Sequence, residues 1–323
     1  MTYSDALTII LAKPRGFCAG VERAIDIVEK ALAIYGPPIY VRHEIVHNKW
    51  VVEDLRGKGV VFVDEVSEIP DGAITVFSAH GISEKVESSA RLRELPVIDA
   101  TCPLVTKVHR EAQRYEAEGR DIVLIGHAGH PEVEGTTGRV KGKVYLIANA
   151  ADVATLEVDN PESLAYVTQT TLSVDDTRTV IDALKARFPS IKGPDLRDIC
   201  YATQNRQNAV RDLARQVELI LVIGSHNSSN SNRLRDLAEE MGVKAYLIDD
   251  ESGIRPEWLE NTNSVGVTAG ASAPELLVEK VIARLKSLRS AEVKLLDGIS
   301  ENTKFKLPPE VTDKPFPLQK RAS

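Results

Sequence analysis

The chain runs through one series of elements three times, and each series opens on one of its three cysteines. After Cys18, apolar Val21, Ile25, Val28 and Leu32 recur at helical spacing until Gly36 interrupts them. After Cys102, Pro103 supplies a favoured first helical residue, and Val105, Val108, Ala112 and Tyr115 share a face as far as Gly119. After Cys200, Thr203 can cap a helix that carries Val210, Leu213 and Val217. A short apolar run follows each helix, at 38–41, 122–125 and 219–223, and reads as a buried strand. Each of these strands feeds a polar motif: Val46-His47-Asn48, then Gly126-His127-Ala128-Gly129-His130-Pro131-Glu132, then Gly224-Ser225-His226-Asn227-Ser228-Ser229-Asn230. His47, His130 and Ser228 stand at nearly the same remove from Cys18, Cys102 and Cys200.

Second strands are expected at 60–63, 144–147 and 245–248, and third strands at 74–77, 165–167 and 264–267. The third strands end in Ser78-Ala79-His80-Gly81, Thr168-Gln169-Thr170-Thr171 and Thr268-Ala269-Gly270-Ala271-Ser272. Helices alternating with short apolar strands imply an α/β chain of small, mostly parallel sheets with crossover helices. The repeat predicts units at 19–102, at 103–196 and at 1–18 plus 197–286, with 287–323 as a C-terminal extension. Parallel sheets gather ligands beyond the carboxyl ends of their strands, which is where every polar motif falls. Three such units related by a pseudo-threefold axis would turn their cysteines and polar loops towards one central cavity.

Composition narrows the function. No apolar run approaches the roughly 18 residues of a membrane helix. Residues 1–11 lack a basic region and a cleavage motif, so no signal peptide is expected. A net charge of −7 disfavours wholesale nucleic-acid binding. Three cysteines, an odd number without a C-x-x-C pair, point to thiols in a reducing cytoplasm rather than to a disulfide framework or a zinc knuckle. The tail carries Pro308, Pro309, Pro315 and Pro317 among charges and reads as extended or partly disordered, more an inert appendage than a docking segment.

Three converging thiolates suit zinc, completed by a histidine, or an iron–sulfur cluster. A [4Fe–4S] cluster normally takes four cysteines, so three would leave one iron open to substrate. A cysteine–histidine nucleophile is a third possibility, although it uses only one of the three. The loops offer donors rather than carboxylates: His47, His80 and His130, with Ser228, Ser229, Asn230 and Ser272. Donors on glycine-rich turns suit a phosphate or diphosphate, while single strand-end histidines and a Ser-Ser-Asn run can equally be structural. Glu132, the sole carboxylate inside the polar loops, can deliver protons or can equally be a surface glutamate after proline, and Thr170 can place a leaving hydroxyl. His43 reads as structural, His109 as solvent-facing, His127 as support for His130 and His226 as solvated, with Trp50 and Trp258 assigned to packing.

The segments Pro14-Arg15-Gly16-Phe17-Cys18-Ala19-Gly20-Val21, Asp99-Ala100-Thr101-Cys102-Pro103-Leu104-Val105, His127-Ala128-Gly129-His130-Pro131-Glu132-Val133-Glu134-Gly135-Thr136, Asp198-Ile199-Cys200-Tyr201-Ala202-Thr203 and Thr268-Ala269-Gly270-Ala271-Ser272-Ala273-Pro274 closely resemble the 4-hydroxy-3-methylbut-2-enyl diphosphate reductase family. The likeness runs from about Ile9 to Lys286. It implies a trefoil-like fold of three α/β units and one [4Fe–4S] cluster held by Cys18, Cys102 and Cys200. It implies that His47, His80, His130, Ser228, Ser229, Asn230 and Ser272 hold the diphosphate, that Glu132 relays protons and that Thr170 helps place the substrate hydroxyl. It also implies an external electron carrier of ferredoxin or flavodoxin type. Two other classes stand beside it. One is a zinc-dependent phosphohydrolase. The other is an iron–sulfur sensor, which has no need of donor-rich loops and whose usual DNA partner the charge disfavours.

Overall fold

A computed structural model of the chain describes residues 6–317. Strand β1 (Leu7–Leu11) leads into Cys18 and helix α1 (Ala19–Tyr35). There follow β2 (Ile39–Arg42), α2 (Lys49–Gly57), β3 (Val60–Val63), β4 (Thr75–Phe77), α3 (Glu84–Leu92) and β5 (Val97–Asp99). The series restarts at α4 (Pro103–Ala117), with β6 (Asp121–Ile125), α5 (Pro131–Thr137), β7 (Val144–Ile147), α6 (Ala150–Thr155), β8 (Leu164–Thr168) and α7 (Val174–Arg187). It restarts again at α8 (Tyr201–Ala214), with β9 (Leu219–Ile223), α9 (Ser229–Glu240), β10 (Lys244–Ile248), β11 (Ser264–Ala269), α10 (Glu275–Leu288) and β12 (Ala291–Leu295).

All pairings in the three sheets are parallel. Their orders are β3-β2-β4-β5, β7-β6-β8 and β10-β9-β11-β1-β12. The α/β expectation therefore holds, and so does the repeat, because each sheet is built on the same order of second, first and third strand. The strand that follows has no counterpart among the expected elements. Beside the third strand of each module lies a further segment that runs on to a cysteine. It is β5 before Cys102 and the N-terminal β1 before Cys18. Before Cys200 it shrinks to a single bridge, Ala165 to Lys192. Short length and weak alternation hid these segments, since a buried parallel strand carries no period-two signal.

Local sequence fixes the helices. Ala24, Ile27, Val28 and Ala31 form the buried face of α1, which ends where Gly36 takes a φ of 73° and donates to the Leu32 carbonyl. Pro103 opens α4, and Gly119 at φ 76° closes it. The chain divides into two compact units. One comprises the segment ending at Cys18, His47–Val51 and Tyr201–Thr303; the other comprises Ala19–Val46, Val52–Cys200 and the segment from Lys304. The first holds the five-stranded sheet between two apolar layers, one with Leu277, Val281 and Leu285 of α10, the other with Val210 and Leu213 of α8. The second holds the other two sheets, each with its own apolar core.

Three expectations change. Thr203, expected to cap the helix after Cys200, lies inside α8, which starts at Tyr201 right after the cysteine. His109, expected to face solvent, is buried on α4, its ring against Gly81, and burial together with nearby Arg139 lowers its pKa to about 4. Adjacency to Val108 was a poor guide because α4 is covered on more than one side. The tail, expected to be loose, is held by contacts as far as Phe316, and residues 318–323 of that expectation lie outside the described ones. Beyond the expected boundary at 286, β12 joins β1, and farther on the Tyr35 hydroxyl donates to the Glu310 carbonyl and accepts from the Phe316 N–H. Trp50 and Trp258 pack against the core, as expected. Among the described residues no helix is long and apolar enough to cross a membrane.

Leu213 is fully buried against the centre of β11, where Gly266 leaves no room for a side chain. Leu213→Ala is expected to lower stability by about 2–5 kcal/mol in denaturant titration, the range for a truncated core leucine.

Candidate active site

The three cysteines share one anchorage. The Cys102 N–H donates to the Ala79 carbonyl at 3.0 Å, that of Cys200 to Thr170 at 3.1 Å and that of Cys18 to Ala271 at 3.1 Å. Each acceptor lies two residues past the end of the module's third strand. Each cysteine immediately precedes a helix and is half-buried, and none is in a disulfide. A thiol beside a helix N-terminus is biased towards thiolate by the helix dipole. Among the described residues no group of three or more His, Cys, Asp or Glu side chains gathers closely enough to hold a metal ion. What equates the three thiols is their matched backbone position.

In the larger unit, predicted site residues connect one cysteine loop to the next. The loop that anchors Cys102 carries His80, whose ring meets that of His130 edge-on at 6.0 Å. His130 precedes α5, and its Nδ1 accepts the Glu132 N–H at 3.2 Å, which leaves Nε2 as the protonated, donating edge of the neutral ring. The Glu132 carboxylate accepts from the Thr170 N–H at 2.6 Å and from its hydroxyl at 3.0 Å. The carbonyl of the same Thr170 anchors Cys200. Glu132 is almost completely buried. Desolvation raises its pKa from 4.5 to about 7, against the two Thr170 hydrogen bonds, which favour the ionised form; nearby Asp198 raises it further. A carboxyl poised there can give and take a proton near neutrality.

Asp198 and Gln169 lie within the motifs without an expected role. Buried Asp198 accepts the Thr168 N–H at 3.2 Å and pairs with Lys107 at 3.1 Å; burial and Glu111 push its carboxyl well above the usual range. Gln169 accepts the His127 N–H at 3.1 Å and donates to Thr171 at 2.9 Å, tying two polar loops together. Polar residues flanking a cysteine or closing a strand were the available signal. Only tertiary contact reveals their partners.

The smaller unit brings together His47, Ser228, Ser229, Asn230 and Ser272 on three neighbouring loops. The Ser272 hydroxyl donates to the His47 carbonyl at 2.8 Å, and Asn227 Nδ2 lies 3.4 Å from the His47 ring. Ser228 caps the 12-residue α9, where its hydroxyl oxygen accepts from the Ser231 N–H at 3.3 Å and the Ser231 hydroxyl at 3.0 Å. Its own proton remains to donate. Gly224 and Gly270 bracket Ser231 so tightly that a side chain on either would strike its hydroxyl. Asn230 is buried at 4 % exposure, yet neither amide atom has a hydrogen-bond partner within the protein. Leaving such a group unpaired costs about 1–3 kcal/mol, and an acceptor-rich ligand would recover the share that belongs to the donating Nδ2.

The family described as LytB protein matches residues 9–286. The chain belongs to the LytB family. Among its LytB relatives, 4-hydroxy-3-methylbut-2-enyl diphosphate reductase of Bordetella pertussis is 61% identical over 308 residues, covering 95% of this chain and 94% of that protein. Reductase 2 of Bradyrhizobium diazoefficiens is 59% identical over 305 residues, covering 94% and 99%. The solved E-1-hydroxy-2-methyl-but-2-enyl-4-diphosphate reductase of Plasmodium falciparum matches this LytB chain with a TM-score of 0.91 at 39% identity, over 95% of this chain and 97% of that one.

Because the folded protein holds the Glu132 proton more tightly than the unfolded chain does, Glu132 stabilises the fold fully below its ordinary value of 4.5, and that contribution is lost as pH rises through about 7. Glu132→Gln is therefore expected to gain stability relative to the parent protein between about pH 4.5 and 8, by up to ~3 kcal/mol, in paired denaturant titrations.

Proposed function

We propose that this chain reduces (E)-4-hydroxy-3-methylbut-2-enyl diphosphate to isopentenyl and dimethylallyl diphosphate, the last step of the methylerythritol phosphate isoprenoid pathway, in the cytoplasm. Two electrons and two protons enter and the hydroxyl leaves as water. One [4Fe–4S] cluster per chain, on Cys18, Cys102 and Cys200, fits the donor set: three soft thiolates, equivalently anchored at helix starts. When bound, it supplies single electrons and, with only three protein ligands, an open iron of Lewis-acid character. The electrons come from an external carrier of ferredoxin or flavodoxin type.

The observation that carries the diphosphate assignment is Asn230, buried without a partner beside Ser228, whose hydroxyl proton remains to donate. Ser228, Ser229, Asn230 and Ser272 hold phosphate oxygens at the N-terminal turn of α9, where dipole and exposed N–H groups favour an anion. His47, His80 and His130 contribute imidazole donors to the same diphosphate. Thr170 orients the reacting hydroxyl, with its own hydroxyl proton directed at Glu132. Glu132, with a pKa of about 7, delivers a proton as the C–O bond breaks, and burial keeps bulk water from exchanging it. Protonation at either allyl terminus gives the two products.

Anaerobic assay with the hydroxylated diphosphate and a reduced one-electron dye tests the reading, and iron with acid-labile sulfide analysis separates it from a zinc hydrolase. Glu132→Gln is expected to keep the cluster and lose about 10²–10⁴-fold in kcat, the usual range for a positioned acid; turnover equal to the parent would remove Glu132 from the mechanism. Cys102→Ser is expected to retain far less iron and sulfide per chain, and a fully loaded, active variant would refute ligation.

A further inference from the structure

The sheet of the smaller unit carries one strand more than the repeat accounts for. Elsewhere the segment ahead of a cysteine lies at the sheet edge: β5 before Cys102 and the Lys192 bridge before Cys200. Before Cys18, β1 takes that place and β12 lies outside it. β12 also lies past residue 286, where the family match ends.

From β12 onward the tail follows the Cys18 segment step by step. Leu7 to Leu11 pair with Ala291 to Leu295 in register, and the Leu296 N–H then donates to the Leu11 carbonyl at 2.9 Å. Gly298 sits so close to Lys13 that a side chain there would run into its carbonyl oxygen. Glu301 reaches Arg206 Nη1 through both carboxylate oxygens at 3.2 Å and takes a hydrogen bond from Asn205 at 2.8 Å. Arg206 has no solvent exposure. Its Nε and Nη2 donate to the Gly16 carbonyl at 3.0 and 2.7 Å, and Nη2 donates also to Phe17 at 3.1 Å. The two residues ahead of Cys18 thus hang on a buried guanidinium whose counter-charge comes from the tail. A guanidinium stripped of its carboxylate at such a site must find water or move, because an unpaired buried charge is strongly disfavoured.

We propose that residues 291–301 act as a rail for the Cys18 segment, and that Arg206 and Glu301 are positioning residues that fix where the Cys18 thiol sits. Its consequence for catalysis rests on Cys18 being a cluster ligand; the positioning itself does not. Thiol reactivity tests it on the full-length chain stripped of metal with a chelator. Each cysteine is followed by alkylation with iodoacetamide and peptide mass mapping, so the readout is independent of cluster or turnover. Glu301→Ala is expected to speed alkylation of Cys18 severalfold while Cys102 and Cys200 react as in the parent. Glu301→Gln, which keeps an acceptor for Arg206 but not its counter-charge, should give a Cys18 rate between those of the parent and Glu301→Ala, and Lys304→Ala, in the exposed tail beyond, should change nothing. Gly298→Ala leaves the charge pair in place and displaces the Lys13 carbonyl instead; it too should accelerate Cys18 alone. An unchanged Cys18 rate in both Glu301→Ala and Gly298→Ala overturns the proposal, as does equal acceleration at all three cysteines, which would mean general loosening.

Discussion

One hydrogen bond, made three times, sets the frame for everything else. The amide of each cysteine is tied to a carbonyl two residues past a strand end, at the point where the chain turns into a helix. Parallel pairing aligns the strand ends, so the anchoring loop and the cysteine fall at the same end of their sheet. The helix that follows aims its N-terminal dipole at the thiol and favours its ionised form. Anchorage and electrostatics thus come from the same few atoms, which is why the arrangement can recur with different side chains around it.

The polar loops divide their labour by what burial does to each group. Hydroxyls and amides at the start of α9 stay neutral at any working pH, and burial makes the unsatisfied amide of Asn230 costly until a ligand pairs with it. Glu132 lies at the other extreme: the two bonds from Thr170 would hold it ionised, but desolvation outweighs them and brings its titration to about 7. Asp198, two residues before Cys200 in the chain, adds negative charge nearby and is itself braced by Lys107 and the Thr168 amide. His109 shows the opposite case, an imidazole kept neutral by burial and pressed beneath the His80 loop at Gly81.

Much of this was legible from residues alone. Three equal series made an α/β repeat readable, and most of the strands predicted after the cysteine-led helices lie within a residue or two of where they form. The motif residues also fall where expected, at strand ends and helix starts. What stayed hidden was short, mixed or remote. β5 has three residues and β12 alternates poorly, with four of its five residues exposed. The proline-bearing tail looked loose by composition, yet Tyr35 and Phe316 hold it through two hydrogen bonds and a ring contact at 6.0 Å. Arg206 sat in a helical stretch like any surface arginine, and its burial follows only from the carbonyls it happens to meet.

The sequence by itself determined the elements, their threefold recurrence and the residue types that do chemistry, because periodicity, glycine stops and strand-end motifs are local properties of the chain. Tertiary structure decided which groups share an environment: that Glu132 is buried against Thr170, that Asn230 lacks a partner, and that Glu301 neutralises an arginine gripping the approach to Cys18. Those facts depend on desolvation and on contacts between residues far apart in sequence, and no local pattern encodes either.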